Sequence, residues 1–272
     1  METIKPRKIQ WTGYWKGGVF LAFGLVLLAW LLNTPAGLLG KADAIGYAVC
    51  HRIDLRSFFL GERQLPLCAR CSGMYLGAML GLAFQGMTGR RREGMPRRSV
   101  LTAMALLVFA FGFDGINSFL SLLPGAPTLY EPQNSLRLFT GTGMGLVIAL
   151  ALFPAFNASV WRTTDPKPAI DSTRKFALLI LLAVGLDLLL LLENPLLLYP
   201  LALASASGVL VLLTMVYTMF WLMVFRAEKR YNLVKELAYP LIGGVTLALI
   251  QIGLLDVVRF FFTGTWEGFH LG

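Results

Sequence analysis

Apolar residues in this 272-residue chain fall into blocks that outrun the core elements of a water-soluble domain. A helix rises 1.5 Å per residue, so roughly 20 apolar residues cross the hydrocarbon core of a bilayer. Seven blocks reach or approach that length. The first runs from about residue 17 to 32, within a charge-free stretch from Gly17 to Gly40, and the second from about 72 to 89. The third, about 99 to 123, contains Asp114, and the fourth, about 135 to 160, contains Arg137. The fifth, about 176 to 192, is short and holds Asp187, while the sixth, about 200 to 225, is apolar on every face. The seventh, about 237 to 262, carries Gln251, Asp256 and Arg259 in its second half. The pattern predicts an all-α, polytopic transmembrane bundle of about seven spans, a single membrane domain over residues 1–272.

Composition agrees. Charged residues make up 14% of the chain, against about 25% in soluble domains, and 56% of residues are hydrophobic. With a mean hydropathy of +0.66 these values exclude an ordinary water-soluble globule. Lys5, Arg7, Lys8 and Lys16 would suit the basic region of a signal peptide. The following block is at the upper length limit for one, and no small-residue cleavage site follows, so a retained first span is expected.

The net charge of +9 raises the question of nucleic acid, and the distribution of Lys and Arg answers it. Of the 24, 17 lie in the N-terminal segment and in alternate connections, the clusters around Arg90–Arg98, Arg162–Lys175 and Arg226–Lys235. The other connections hold only Lys41, Arg52, Arg56, Arg63 and Arg70. The positive-inside rule then predicts N-in, C-out, with the segment around residue 50 outside a cell membrane that the chain crosses many times. Basic charge of this kind reports topology, and no aromatic-interleaved groove points to nucleic acid.

Gly73, Gly77 and Gly81 recur at every fourth position of the second block, which predicts a flat face that a neighbouring helix can approach closely.

All three cysteines fall within 22 residues. Cys50 and His51 are followed, sixteen residues on, by the Cys-x-x-Cys pair Cys68 and Cys71. Such a knuckle lets two thiolates reach one ion from a tight turn, and Cys50 or His51 can complete the shell. Three sulfurs and an imidazole suit zinc, with iron as second choice. A three-thiolate site with His51 only nearby is the main variant, and an open fourth position would permit catalysis. A disulfide between Cys68 and Cys71 with a reactive Cys50 is the redox alternative. The c-type haem signature fails, because Ser72 rather than His follows the second cysteine.

Charged residues inside the blocks sharpen the expectation. Asp114 shares a helix face with Asn117, and Asn134, Arg137 and Gly141 share another. Asp187, Asp256 and Arg259 fall, like these, in the half of the membrane nearest the cysteine segment. An ionised group at depth costs roughly 2.5 to 3.5 kcal/mol on insertion scales, so each needs a partner or a purpose. Pairing of Asp114 with Arg137, or of Asp187 with Arg259, is the structural reading. The functional one is an outward-facing polar cavity, in which Asp114, Asn117, Asn134 and Arg137, helped by Arg52, Arg56 and Arg70, bind an anionic group. His270 lies in an exposed tail and carries no expected role. No catalytic Ser/His/Asp order, phosphate-binding glycine loop or HExxH motif is present.

The run Gln64-Leu65-Pro66-Leu67-Cys68-Ala69-Arg70-Cys71-Ser72-Gly73, preceded by Cys50-His51 and Arg56-Ser57-Phe58-Phe59 and followed by Tyr75 and Gly77, resembles a prokaryotic integral-membrane family. That family is catalogued as domain of unknown function 2085. Asp114-Gly115 and the pattern Asn134, Arg137, Thr140, Gly141 resemble its later blocks. The resemblance covers about residues 45–150, leaving 176–262 as additional helices. It implies a membrane location and a candidate Cys/His site at Cys50, His51, Cys68 and Cys71, without an activity.

Two classes of function are therefore expected. One is a membrane protein that binds or transports an anionic lipid-linked ligand, with zinc bracing the cysteine segment. The other is a membrane-embedded enzyme, a metal-assisted hydrolase or a thiol oxidoreductase. A structural subunit of a membrane complex is a third role that the glycine faces and basic rim would serve.

Overall fold

The computed structural model describes residues 13–268, with side chains from residue 17. Lys5, Arg7, Lys8, His270 and the Lys16 side chain lie outside the described residues. Eight helices run in the order α1 (Gly13–Asn33), α2 (Gly37–Val49), α3 (Ala69–Thr88), α4 (Arg98–Leu120), α5 (Asn134–Val160), α6 (Thr173–Leu191), α7 (Pro195–Val224) and α8 (Ala238–Thr263). Four short strands decorate the loops: β1 (Phe59–Leu60) pairs antiparallel with β2 (Arg63–Gln64), and β3 (Arg92–Gly94) pairs parallel with β4 (Asp165–Pro168).

The apolar blocks account for seven of these helices, but they do not all have the character of a span. α4, α5, α7 and the run Val234–Thr263 are long and apolar enough to cross a membrane, and α1 and α2 qualify only together. α3 is diluted by its glycines, Arg70 and Gln85, and α6 carries Arg174, Lys175 and Asp187. Length and composition thus support four spans, or five with the bent pair counted as one.

Helix α2 is the element that hydrophobic periodicity does not announce. Pro35 lacks a backbone N–H and keeps Thr34 out of helical geometry, so the chain breaks after Asn33 and turns by 104°. Lys41 on α2 reaches back over the break and donates to the carbonyls of Leu31 (2.5 Å) and Thr34 (3.0 Å) and to Thr34 Oγ1 (2.8 Å). An ammonium at the end of α1 satisfies carbonyls that have no partner within that helix. Elsewhere the ends obey local rules: the Ser172 hydroxyl caps α6, Asn194 Oδ1 caps α7 with Pro195 behind it, and Gly264 closes α8 at φ +67°.

The centre of the bundle is the α3–α5 interface. A Cβ at Gly141 would fall on the carbonyl of Arg70, and one at Gly77 on that of Thr142, so the two backbones touch. The expected glycine face is therefore used, and α5 answers it with glycines of its own. Gln85 fastens the far half of the interface through the carbonyl of Ala149 (2.8 Å). Because the helices lie this close, Arg70 near the start of α3 and Arg137 near the start of α5 are held at one end of the bundle.

The two ends differ. The α3–α4, α5–α6 and α7–α8 connections meet at one end through β3–β4 and a bridge between Trp161 and Tyr231. The cysteine loop, the α4–α5 loop and the C-terminal segment gather at the other, where Asn134 donates to Ser57 O (3.4 Å) and Arg52 to Trp266 O (3.3 Å).

Candidate metal and anion site

Cys50 caps the C-terminus of α2, Cys68 is the N-cap of α3 and Cys71 lies in its first turn. Gly46 makes the meeting possible: a Cβ there would land on the carbonyl of Pro66, so α2 packs directly on the chain that leads into Cys68. The three sulfurs lie within 4.8 Å of one another and all three are free thiols. A tetrahedral ion with zinc–sulfur bonds of about 2.3 Å holds its sulfurs about 3.8 Å apart, within reach of small side-chain rotations. The donor set therefore fits a thiolate-binding metal. Cys50 Sγ also accepts from the backbone N–H of Cys68 (3.3 Å) and of Arg52 (3.5 Å), the latter turned back by a left-handed Arg52 (φ +50°). Hydrogen bonds from the Cys68 and then the Cys71 thiol pull the Cys50 thiol well below its ordinary value, and the same sharing pushes Cys68 up to about 12. The first turn of α3 aims its N–H groups at this point, a setting that favours thiolate.

His51 is not in the sulfur group. Its Nδ1 accepts the backbone N–H of Ile53 (3.2 Å), which leaves Nε2 as the ring atom able to face an ion. Burial lowers its pKa, so the ring is neutral near pH 7. The variant with three thiolates and an imidazole only nearby matches this geometry.

Arg259 of α8 holds the cysteine loop from the other side. Its guanidinium donates to the carbonyls of Tyr47 (2.6 Å), Cys50 (2.5 Å) and His51 (3.2 Å) and lies over the Tyr47 ring, 4.0 Å from its centre. One arginine thus ties off the C-terminal carbonyls of α2. Ala206 and Val209 of α7 and Ile252 of α8 join Cys50 and Cys68 in one buried cluster.

Next to the thiols, three arginines from three elements converge on one serine. Arg56, in a 3₁₀ turn (Asp54–Arg56), donates to the Ser118 carbonyl (2.6 Å). Arg70 donates to Ser118 Oγ (3.0 Å) and pairs with Asp114, and Arg137 Nε reaches the same Oγ at 3.4 Å. Ser118 is fully buried, and Arg56 and Arg137 are 8% and 6% exposed. Burial first, then the charge of Arg70, depresses the pKa of Arg56, with Cys68 and Asp114 acting against them. Asp114 is the carboxylate of this group, and it also accepts from Tyr130 Oη (2.8 Å) and Thr140 Oγ1 (3.3 Å). Three guanidiniums facing one carboxylate leave an excess of positive charge that thiolates or an anion would balance.

The expected residues divide accordingly. Arg56, Arg70, Asp114 and Arg137 come together, and Asn134 joins them by accepting from Arg137 Nη1 (2.8 Å). Asn117 does not: its side chain accepts from Leu129 N (2.8 Å) and donates to Tyr130 O (2.9 Å), which pins the α4–α5 loop. Arg52 points the other way, to Asp43 of α2 (3.1 Å). The expected pairs are also exchanged. Arg70, brought beside α4 by the glycine interface, takes Asp114 in place of Arg137, and Asp187 accepts from Thr142 Oγ1 (2.6 Å) while Arg259 serves the cysteine loop. Ser118, Tyr130 and the role of Arg259 went unread in the sequence, and Thr140 was noted only as part of the family-like pattern. Ser118 lies at i+4 from Asp114, and Thr140 at i+3 from Arg137, so helical spacing was the available signal for both.

A cavity of about 640 Å³ lies away from the arginines. It lies between α1 and α8.

Two archaeal relatives share part of this chain. An uncharacterized protein of Methanocaldococcus jannaschii is 25% identical over 119 residues, 44% of this chain and 70% of the relative. Another, of Methanothermobacter thermautotrophicus, is 28% identical over 102 residues, 38% of this chain and 82% of the relative. No solved structure matches. Residues 50–151, from the first cysteine through α3, α4 and most of α5, match the family described as predicted membrane protein (DUF2085).

Proposed function

We propose that this chain is a multi-pass protein of the cell membrane, with seven spans, the basic loops on the cytoplasmic side and the cysteine end outside. There it binds an anionic, lipid-linked ligand, a phosphate- or carboxylate-bearing headgroup, at Arg56, Arg70 and Arg137. A zinc ion on Cys50, Cys68 and Cys71 braces the floor of that site. The observation that carries the reading is the convergence of three guanidiniums, those of Arg56 and Arg137 buried and that of Arg70 half-buried, on Ser118 with a single carboxylate among them. Like charges gathered in low dielectric are costly without a counter-charge, and planar guanidinium forks match phosphate and carboxylate oxygens.

Purified protein is expected to carry one equivalent of zinc, with its three thiols unreactive until a chelator removes it. A metal-free disulfide joining Cys68 to Cys71 would exclude the metal. In reconstituted vesicles, farnesyl phosphate is the probe for the anion site. Its affinity is expected to fall about tenfold or more in Arg137→Gln, the size of one lost charge-assisted hydrogen bond at about 1.4 kcal/mol per decade. A folded, zinc-loaded Arg137→Gln protein that binds the probe as tightly as wild type would overturn the anion site.

A second reading, a metal-assisted hydrolase, draws on the donor set. Three sulfurs with His51 outside the group leave a fourth position for water, beside arginines able to hold an anionic substrate. Turnover of a phosphate ester that depends on all three cysteines would separate it from binding alone.

A further inference from the structure

Beside the cysteine cluster, on which Trp30 packs, α1 and α8 enclose a cavity of about 640 Å³, within the range of small-molecule sites. Its walls are mostly apolar, among them Val26, Leu249 and Phe260, and two further lining residues, Val257 and Phe261, are 68% and 83% exposed at the bundle surface. One ionisable group lines it. Asp256 is only 3% exposed, and among the described residues neither of its carboxyl oxygens has a hydrogen-bond partner. Trp30 of α1 lines it as well, its indole N–H close enough to act on the carboxyl, yet the pair falls short of hydrogen-bond geometry and the N–H is likewise without a partner. An unsatisfied buried polar atom costs about 1–3 kcal/mol. Here a carboxyl and an indole N–H line the same apolar chamber.

We infer that this chamber is a binding site for a membrane amphiphile with a hydroxyl head, a lipid alcohol. The head must both donate, to a carboxyl oxygen of Asp256, and accept, from the Trp30 N–H. A hydroxyl does both with one atom. An ammonium donates but cannot accept, and an ether accepts but cannot donate. The apolar walls take the hydrocarbon chain. The chamber borders the cysteine loop, because Arg259, which holds that loop, also lies close enough to act on the Asp256 carboxyl.

The test uses the full chain reconstituted in vesicles, with three photoactivatable probes that share one diazirine-bearing alkyl tail and end in an alcohol, an amine or a methyl ether. Labelled peptides are read by mass spectrometry over residues 249–261. The alcohol is expected to label this stretch at least about tenfold more than the ether, a ratio equal to about 1.4 kcal/mol. Gly253 lines the chamber and a Cβ there meets nothing within 4 Å, so Gly253→Leu fills the space without touching the protein and is expected to abolish labelling. Asp256→Leu removes an unpaired buried carboxyl, keeps the fold and is expected to erase the preference for the alcohol. Equal labelling by alcohol and ether, or labelling that survives Gly253→Leu, would overturn the site. Stronger labelling by the amine than by the alcohol would overturn the hydroxyl assignment. A change of oligomeric state in Gly253→Leu, with no loss of alcohol labelling in wild-type conditions, would mark the chamber as a contact between copies and overturn it as well.

Discussion

The two ends of the bundle use the same ion pair in opposite ways. At the basic end, where thirteen Lys and Arg lie in three connections and the first turns of the helices that follow them, Arg92 meets Asp165 (3.4 Å) and Asp171 (3.0 Å), and Lys175 shares Asp171 (2.8 Å). These side chains are partly open to water, the two aspartates about 40% exposed. At the cysteine end Arg70 pairs with an Asp114 that is 2% exposed, among two further arginines. In water the attraction between the ions is largely offset by the hydration they give up, so a pair there contributes little. Inside the bundle the hydration is already lost, and each ion depends on its partner. Positive charge at the basic end stays partly hydrated. At the cysteine end it requires structure.

This contrast can be broken in four ways. Arg70→Ala should have the largest effect, because it strands a buried carboxylate with only Tyr130 and Thr140; a loss of about 3–5 kcal/mol is expected in denaturant unfolding in detergent. Replacing the pair together, Arg70→Met with Asp114→Leu, should recover most of that loss. If the single and double variants unfold alike, the pair does not carry the cost. Gly77→Ala should come second. The added Cβ meets the Thr142 backbone, which cannot rotate away, so overpacking costs of about 1–3 kcal/mol are expected from the same measurement. An undiminished Gly77→Ala protein would mean that α3 and α5 separate without penalty.

At the basic end Arg92→Ala should cost no more than about 1 kcal/mol and should lose that effect in high salt. A loss that rivals Arg70→Ala would erase the distinction between the ends. The smallest effect concerns pH. Hydrogen bonds from Lys175 and then Arg92 hold Asp171 down at about 2. An unfolded aspartate titrates near about 3.9, so the ionised form stabilises the fold above that value and its contribution fades as pH falls from about 4 towards 2. Unfolding midpoints of wild type and Asp171→Asn should differ by a constant amount from pH 7 to 5 and converge below about 4. Curves that stay parallel to pH 2 would show that Asp171 does not act through its charge.

Much of the site was legible because its elements are local. A Cys-x-x-Cys step across a helix start places two sulfurs together whatever the rest of the chain does, and the glycines of α3 announced a close neighbour. The partner of that glycine face was not legible, nor that α5 would answer it with Gly141. For that reason Arg70, rather than Arg137, took Asp114. Helix α2 was hidden because its 13 residues mix Gly40, Lys41 and Asp43 into an apolar run, which blurs the periodicity. Arg259 looked like an ion-pair partner for an aspartate, yet it satisfies backbone carbonyls around Cys50, and backbone groups carry no signature in a sequence.

The sequence by itself determined the helical class, the bilayer-length apolar runs, the separation of basic from cysteine-bearing connections and the grouping of three thiols. Each follows from hydrophobicity, charge or spacing over short distances, where chemistry and chain order coincide. The tertiary structure alone decided which arginine meets which carboxylate, the gathering of Arg56, Arg70 and Arg137 on Ser118, and the stranding of Asp256 beside Trp30 in an apolar chamber. Those outcomes depend on how closely backbones approach across helices far apart in the chain, and that distance is set by packing of all the helices at once.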